Sequence, residues 1–511
     1  MLKIVMLAVY FAVLLGIGLK CRKSANSVSG FVLGGRGVGA WLTAFAYGTS
    51  YFSAVVFVGY AGQFGWKYGI AATWAGIGNA LIGSLLAWCI LGRRTRLLTQ
   101  HLDSSTMPEF FGRRFDSKPL KIVASAIIFI FLVPYTASLY NGLSRLFGMA
   151  FSIDYSVCII LMSVLTAVYV ICGGYLATAI NDFIQGVIML VGLVAVIWAV
   201  IASKGGFMAA VDALARVNDP AVSTTPGVFT SFFGPDPLNL LFVVILTSLG
   251  TWGLPQMVQK FYAISNEDAI RKGTVISTLF AFVIAGGCYY LGGFGPLFAD
   301  KVNIAKDGFD AIIPAMLSNL GPGLIALTVI LVLSASMSTL SSLVITSSST
   351  LTSDFIKGTI VRDMQPKREV LLIRFFVVVF IAISAVIALI QHTSSVTFIA
   401  QLMGISWGAL AGSFLAPFLF ALYWKRTTKA SCWACFIFGS VLMIVNMVAR
   451  GSLPPIIRSP INCGVLAMLA GFVIVPVVSF LSKAPERAFV DKLFACYDRK
   501  REVAAKSDLG D

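Results

Sequence analysis

Long apolar runs follow one another along almost the whole chain, and short polar gaps separate them. Each run is close to the 20 or so residues that a helix needs to cross a bilayer. The pattern therefore predicts an all-α polytopic membrane protein with thirteen transmembrane helices. The predicted spans lie near residues 2–19, 41–62, 70–92, 122–147, 153–172, 178–202, 238–259, 273–297, 323–353, 371–391, 396–424, 430–449 and 462–482.

The basic residues lie mainly in alternate gaps between these runs. If the N-terminus is outside, 29 of the 38 Lys and Arg residues fall in inward gaps or in the C-terminal tail, with Lys260 counted in the gap after the seventh run. Cytoplasmic loops carry such an excess. We therefore predict an outer N-terminus and a cytoplasmic C-terminus. No Asn-x-Ser/Thr sequon occurs, which favours a bacterial inner membrane.

Composition supports this class and excludes others. Of the 511 residues, 58% are hydrophobic and 12% are charged, a balance typical of membrane proteins. The net charge of +16 could indicate nucleic-acid binding, but its placement in the gaps indicates a role in topology. No nucleophile–base arrangement and no metal-ligand cluster is apparent, so we expect neither an enzyme nor a metal site.

The stretch Ser334–Ser353 is unusually rich in hydroxyls, which make up thirteen of its twenty side chains. It continues the apolar run 324–333. Ala335, Ser338, Thr339 and Ser342 share one helical face by their spacing. That face would offer neutral oxygens to a hard, weakly bound cation, although most of the other hydroxyls are expected to serve in packing.

Two spans are interrupted at matching places. The second contains Gly48-Thr49-Ser50-Tyr51-Phe52-Ser53, and the seventh contains Gly250, Gly253 and Pro255. Each is the first of five consecutive spans. Paired breaks of this kind indicate a transporter with inverted repeats and a midplane site. The alternatives are a small-residue packing face in the second span and a simple Pro kink in the seventh.

Two other spans carry polar candidates. Asp182 lies near the start of the sixth, where a carboxylate faces a cavity or a partner. The alternative is a carboxylate stabilised by the helix dipole. In the fourth, Tyr135 and Ser138 follow Pro134 and could line a pocket, or the span could be a kinked packing helix.

With these motifs in their order, the chain resembles the sodium:solute symporters, in particular the proline and pantothenate branch. The resemblance covers nearly all thirteen spans. It depends on the motifs WLTAFAYGTSYFSAVVFVG, MPEFFGRRF, YTASLYNGLSRLF, CGGYLATAINDFIQG, GLPQMVQKF and STLSSLVITSSSTLTSDF. It implies a LeuT-like five-plus-five inverted repeat and sodium as the co-transported ion.

The resemblance also implies site residues. A sodium site would use backbone carbonyls of Thr49, Phe52 and Ala335 and the hydroxyls of Ser338 and Thr339. Asp182 would assist sodium on its inward path. Some relatives bind a second sodium with a serine where Ala335 stands, so we expect one ion. The implied substrate pocket is lined by Tyr51, Ser53, Val56, Tyr135, Trp252, Pro255 and Gln256.

The implied function is import of a small organic solute with sodium by alternating access. Proline or a similar small amino acid or carboxylate is the first expectation, with pantothenate or a short monocarboxylate as the alternative. The proline branch keeps Pro255 but carries an aspartate where Tyr51 stands and a tyrosine where Thr251 stands. A channel or a transporter-like sensor is the alternative of another class. The pattern does not indicate an oligomeric state.

The expected organisation follows the repeats. An N-terminal helix and inner loop take residues 1–40, and the first repeat takes 41–202. An outer loop, 203–237, leads to the second repeat, 238–424. Two additional helices occupy 425–482, and a cytoplasmic tail occupies 483–511.

Overall fold

Helices account for nearly all of the chain that the structure describes. The structure is a computed structural model, which describes residues 2–151, 154–361, 364–393 and 399–498. Within these ranges the extended pairings are two isolated bridges, Val38 with Ile264 and Asp219 with Ser223. The all-α prediction is confirmed.

The main helices follow the predicted apolar runs. In chain order they are α1 (Leu2–Lys20), α2 (Ala40–Tyr51), α3 (Val55–His101), α4 (Met107–Arg114), α5 (Lys118–Phe151), α6 (Tyr155–Ala202), α7 (Pro237–Gly253), α8 (Pro255–Ala263), α9 (Glu267–Gly292), α10 (Pro322–Ile356), α11 (Pro366–Thr393), α12 (Ile399–Tyr423), α13 (Lys429–Val448) and α14 (Pro460–Leu481). Shorter helices include Val28–Leu33, Phe207–Ala215, Ile312–Leu317 and Arg487–Phe494.

Two helices are too long to cross a membrane once. α3 has 47 residues and α6 has 48, and a straight helix of that length would extend roughly 70 Å. Both bend at a glycine. Gly69 has φ +61°, and a Cβ there would lie 2.1 Å from the Phe229 carbonyl oxygen. Gly174 has φ +58°, another conformation that favours glycine.

The number of spans depends on how these bends are counted. By length and composition, ten helices of the described ranges could cross a membrane, or eleven if α7 and α8 form one bent span. Thirteen stays a prediction. It would follow if α3 and α6 each hold two spans, divided at Gly69 and Gly174.

Both predicted breaks are present. α2 ends at Tyr51, and Phe52 is extended (φ −103°, ψ 102°) before α3 begins. α7 and α8 meet at the extended Leu254 and bend by 47°. The two broken units are joined at one end, because Val38 exchanges backbone hydrogen bonds with Ala263 and Ser265 at 3.2 and 3.0 Å. This pairing places the two breaks in one bundle, where α2 packs against α6, α9 and α10.

The bundle is apolar outside and polar within. Large apolar side chains stay exposed along α6, α9, α11 and α14, among them Trp198, Leu279, Phe375 and Phe480. The hydroxyls of the stretch Ser334–Ser349 are buried. Extended apolar surfaces of this kind mark contact with a membrane.

Candidate ion and substrate site

The break in α2 leaves carbonyl groups that the hydroxyls of α10 approach. The last carbonyls of a helix have no partner within the helix. Ser338 Oγ lies 3.0 Å from the Thr49 carbonyl oxygen, and Thr339 Oγ1 lies 3.2 Å from the same atom. Both hydroxyls also lie 3.1 Å from the Ala335 carbonyl oxygen, one turn earlier in α10.

Four oxygens therefore converge between the first break and α10. Each hydroxyl has a single proton, so it cannot donate to both carbonyls that it approaches. For each hydroxyl, one of the two short oxygen–oxygen distances is therefore not a hydrogen bond. A bound cation would stabilise oxygens held this close together, and carbonyls freed by helix breaks are typical sodium ligands. Phe52, the fifth predicted ligand, lines a small cavity together with Ala335.

Asp182 lies in the interior, eight residues beyond the bend at Gly174. Its side chain is fully buried, and neither carboxylate oxygen accepts a hydrogen bond. A carboxylate at a helix start would accept from backbone amides. The helix dipole acts mainly within the first turn of a helix, so at eight residues from the bend it contributes little at Asp182.

Lys260 corrects the sequence interpretation. The sequence predicts that it lies in an inward-facing gap, but it lies in α8 with only 2% of its surface exposed. Its Nζ is 4.0 Å from Asp182 Oδ2 and donates a hydrogen bond to Ser342 Oγ at 2.9 Å. A lysine at the end of an apolar run predicts a loop residue, whereas the bend of 47° at Leu254 leaves this lysine on a buried helix.

Part of the predicted substrate pocket forms an aromatic cluster. The ring of Tyr51 stacks on Phe52 at 4.4 Å, and the Tyr51 hydroxyl donates to the Thr247 carbonyl. Trp407 of α12 lies 6.0 Å from the Tyr51 ring and 5.9 Å from the Tyr135 ring. Tyr51 and Tyr135 are thus brought together through a residue that the sequence did not single out.

The other predicted pocket residues lie at the two breaks. Ser53 accepts a hydrogen bond from the Val55 amide at 3.2 Å and immediately precedes α3, in which Val56 is buried. The Trp252 indole donates to the Ile82 carbonyl at 3.0 Å, so it faces α3.

Pro255 opens α8, and Gln256 follows it. Both polar atoms of the Gln256 side chain are buried without a hydrogen-bond partner. An amide in this state is available to a ligand, because buried polar groups are normally paired.

The side chains that could bind a transition metal are dispersed through the parts of the chain that the structure describes. No group of three or more His, Cys, Asp or Glu side chains there could hold a metal ion. Cys432 and Cys435 have the spacing of a Cys-x-x-Cys pair, but both are free, buried thiols on α13.

Comparison with known proteins decides the family. The model of the sodium:solute symporter family matches residues 31–439, which is most of the chain. The chain belongs to the sodium:solute symporter family. The resemblance read from the motifs is therefore confirmed, and the protein is a sodium-coupled solute symporter.

Bacterial proteins are similar to this symporter over almost their whole length. It is 28% identical to the osmoregulated proline transporter OpuE of Bacillus subtilis, over 95% of this chain and 96% of the relative. It is 30% identical to the sodium/proline symporter of Staphylococcus aureus strain JH9, over 95% and 94%. These relatives are transporters, in agreement with the expectation of a protein that is not an enzyme.

A solved structure supports the fold of the symporter. A sodium-coupled sialic acid symporter in a substrate-bound, outward-open state has a TM-score of 0.74 and 16% identity, over 95% of this chain and 99% of that one. At this identity the likeness concerns the fold alone. The LeuT-like arrangement is confirmed.

Sequence reasoning missed two residues of the symporter's interior, Lys260 and Trp407. The signal for Lys260 was its position five residues after Pro255, which places it about one and a half turns after the start of the helix that follows the break. Trp407 had no signal of its own, because it stands in the continuous apolar helix α12.

Proposed function

We propose that the symporter imports proline, or a similar small amino acid or carboxylate, together with one sodium ion by alternating access. The observation that carries this proposal is the convergence of Ser338, Thr339, Thr49 and Ala335 at the first helix break. Proline comes from the printed names of the relatives. The carbonyl of Phe52 would complete the sodium ligands.

Sodium would couple the two halves of the protein. An ion between α2 and α10 ties the two helices together, and its loss frees them to separate. At 100 mV, inside negative, one entering charge gains about 2.3 kcal/mol. About 1.4 kcal/mol corresponds to a tenfold concentration ratio. The membrane potential alone could therefore support accumulation of the solute by tens-fold or more, and the sodium concentration gradient would add to it.

Asp182 would hold sodium briefly on the inward path. Its carboxylate has no hydrogen bond and lies in the same interior as the hydroxyls of α10. The variant Asp182→Asn should require a higher sodium concentration for half-maximal uptake. An unchanged sodium requirement would remove Asp182 from the path.

The proposed substrate residues are Tyr51, Ser53, Val56, Tyr135, Trp252, Pro255 and Gln256. Tyr51 favours a second candidate, pantothenate or a short monocarboxylate. The proline branch carries an aspartate there, and the Tyr51 hydroxyl is already bonded to Thr247. The pocket then offers no carboxylate at this position to the ammonium group of an amino acid.

We further propose a bacterial inner-membrane location with the N-terminus outside, two repeats at 41–202 and 238–424, and a cytoplasmic tail at 483–511. Inward opening would have to separate ion pairs that lie at the predicted inner end. Lys121 pairs with Asp354 at 3.1 Å, and Lys357 pairs with Glu369 at 2.6 Å.

The test is uptake into proteoliposomes with an imposed sodium gradient. Radiolabelled proline, pantothenate and short monocarboxylates are each offered, with potassium replacing sodium as the control. Sodium-driven accumulation of proline supports the first candidate, and accumulation of an acid without proline uptake supports the second. Accumulation that is indifferent to sodium would contradict the proposal.

A further inference from the structure

Trp407 of α12 lies where the two helix breaks and α5 meet. Its ring is 6.0 Å from the ring of Tyr51, the last residue of α2, and 5.9 Å from the ring of Tyr135 in α5. A Cβ at Gly250, just before the second break, would lie 3.7 Å from Trp407 Cε3. The neighbouring Ser406 hydroxyl donates to a carbonyl of α5 at 2.5 Å, which fixes this turn of α12 against α5. The indole therefore has a defined position beside the proposed substrate residues.

The indole nitrogen of Trp407 has a proton to donate and no acceptor in the part of the chain that the structure describes. An indole N–H can only donate, and a buried Trp usually finds an acceptor. Trp252 shows the usual case, because its indole donates to the Ile82 carbonyl at 3.0 Å. Trp407 has only 1% of its surface exposed, so it cannot turn to bulk water instead. The missing acceptor is one that a bound solute can supply.

A second unpaired polar group faces the same place. The Tyr135 hydroxyl lies close to the Trp407 indole nitrogen and to the Ser53 hydroxyl, but within the described ranges it makes no hydrogen bond of normal geometry. The Tyr51 hydroxyl is already bonded to a carbonyl of α7, so Tyr51 contributes its ring and not its hydroxyl. Two donors and an aromatic wall thus converge beside the first break. Aromatic sites with a few convergent polar groups are typical of small-molecule binding.

We propose that Trp407 is a specificity-determining residue, whose indole N–H donates to the carboxylate of the imported solute. The Tyr135 hydroxyl donates to the same carboxylate. Hydrogen bonds to an ionised acceptor are about twice as strong as those between neutral groups. A site built around buried donors also rejects analogues that pair with them less well. The symporter therefore selects solutes with a free carboxylate over the corresponding amides. This inference rests on the proposed function and adds the residue that recognises the acid group.

Trp88 of α3 offers a matched control. It is a second buried indole whose N–H has no acceptor in the described parts of the chain. It packs on the rings of Tyr47 and Phe261 at 5.6 and 5.2 Å. The Tyr47 hydroxyl is already bonded to the Gly83 carbonyl at 2.7 Å, so no second free donor stands beside this indole. Replacing Trp88 by Phe thus makes the same change in an aromatic setting that lacks the convergent donors.

The experiment measures equilibrium binding of radiolabelled L-proline, pantothenate and pyruvate to the purified symporter at saturating sodium. The acid that the wild type binds is then compared with its unlabelled amide as a competitor. Trp407→Phe should raise the dissociation constant of the acid by about tenfold or more and that of the amide by less than about threefold. Tyr135→Phe should act in the same direction. Trp88→Phe should change neither constant by more than about twofold, and ²²Na⁺ binding should be the same in Trp407→Phe as in the wild type.

Several results would overturn the inference alone. Equal weakening of acid and amide in Trp407→Phe, or loss of its ²²Na⁺ binding, would show that the indole only packs at the break. An unchanged constant for the acid would show that the indole does not contact the solute. Equal binding of acid and amide by the wild type would contradict the inference whether or not the variants fold. A wild type that binds none of the three acids in sodium would overturn the proposed function as well.

Discussion

At the scale of single residues, the interior of this symporter uses neutral oxygens for its ion and keeps its charges paired. Ser338 and Thr339 could be identified from the sequence because hydroxyls at this spacing share a helical face. Asp182 could be identified because a carboxylate within an apolar run is costly. Its partner could not, because Lys260 follows it by 78 positions and only the break at Leu254 brings the two together.

The Asp182–Lys260 pair makes a prediction about stability. In sodium-free buffer, Asp182→Asn or Lys260→Met alone leaves one buried charge without its partner, which typically costs about 3–5 kcal/mol. The double variant Asp182→Asn with Lys260→Met should regain most of that loss. Thermal unfolding of the purified variants checks this. A double variant that loses as much as the two single variants combined would show that the residues are not coupled.

Asp310, which lies in a loop outside the predicted spans, should give the protein a pH-dependent stability. Asp310 lies in the turn Phe309–Ala311, and its Oδ2 accepts a hydrogen bond from the Ile399 amide at 3.2 Å. Burial raises the pKa of this carboxyl from 3.8 to about 6. Because the folded state raises this pKa, the stabilisation is fully present below about pH 4 and is lost as the pH rises through 6.

The variant Asp310→Asn keeps a carbonyl acceptor but cannot ionise. It should be more stable than the wild type at pH 8, by up to about 3 kcal/mol, and no more stable at pH 4. Thermal unfolding at the two pH values measures the difference. Asp212→Asn, at an exposed position of the helix Phe207–Ala215, is the control and should show no such change. An equal difference at both pH values would contradict the assignment.

At the scale of elements, the two broken helices position the site. Gly48 and Pro255 indicated both breaks in the sequence, because glycine weakens a helix and proline opens a new one. The glycine bends at Gly69 and Gly174 were harder to predict. The sequence predicts separate spans on either side of each glycine, but it does not indicate that a single positive-φ residue, with no longer loop, makes the bend between them.

The second break requires a close approach to α12. A Cβ at Gly253 would lie 2.8 Å from Ala411 Cα and 2.9 Å from the Leu415 nitrogen, and neither backbone atom can move aside alone. Gly253→Ala should lower stability by about 1–3 kcal/mol and impair uptake. Gly250→Ala is the matched control, since its closest neighbour would be 3.5 Å away. Equal stability of the two variants in thermal unfolding would show that the break tolerates a wider spacing.

At the scale of the whole molecule, the sequence predicted the class and the fold because the same physical constraint acts everywhere along the chain. Apolar runs of spanning length and basic gaps needed no tertiary information. The substrate cluster did, since Trp407 joins Tyr51 and Tyr135 across three helices. The fold therefore followed from patterns along the chain, whereas the complete site depends on residues that meet only after folding.

The central claim is that sodium binds where the hydroxyls of α10 meet the first helix break. The most direct measurement is sodium-driven solute uptake in proteoliposomes. It compares the double variant, which carries both Ser338→Ala and Thr339→Ala, with the control variant Ser348→Ala. Ser348 is a buried hydroxyl of the same helix that approaches only carbonyls of that helix, those of Val344 and Ile345. The account predicts that the double variant loses its stimulation by sodium and that the control retains it. A double variant with the sodium dependence of the wild type would contradict the account.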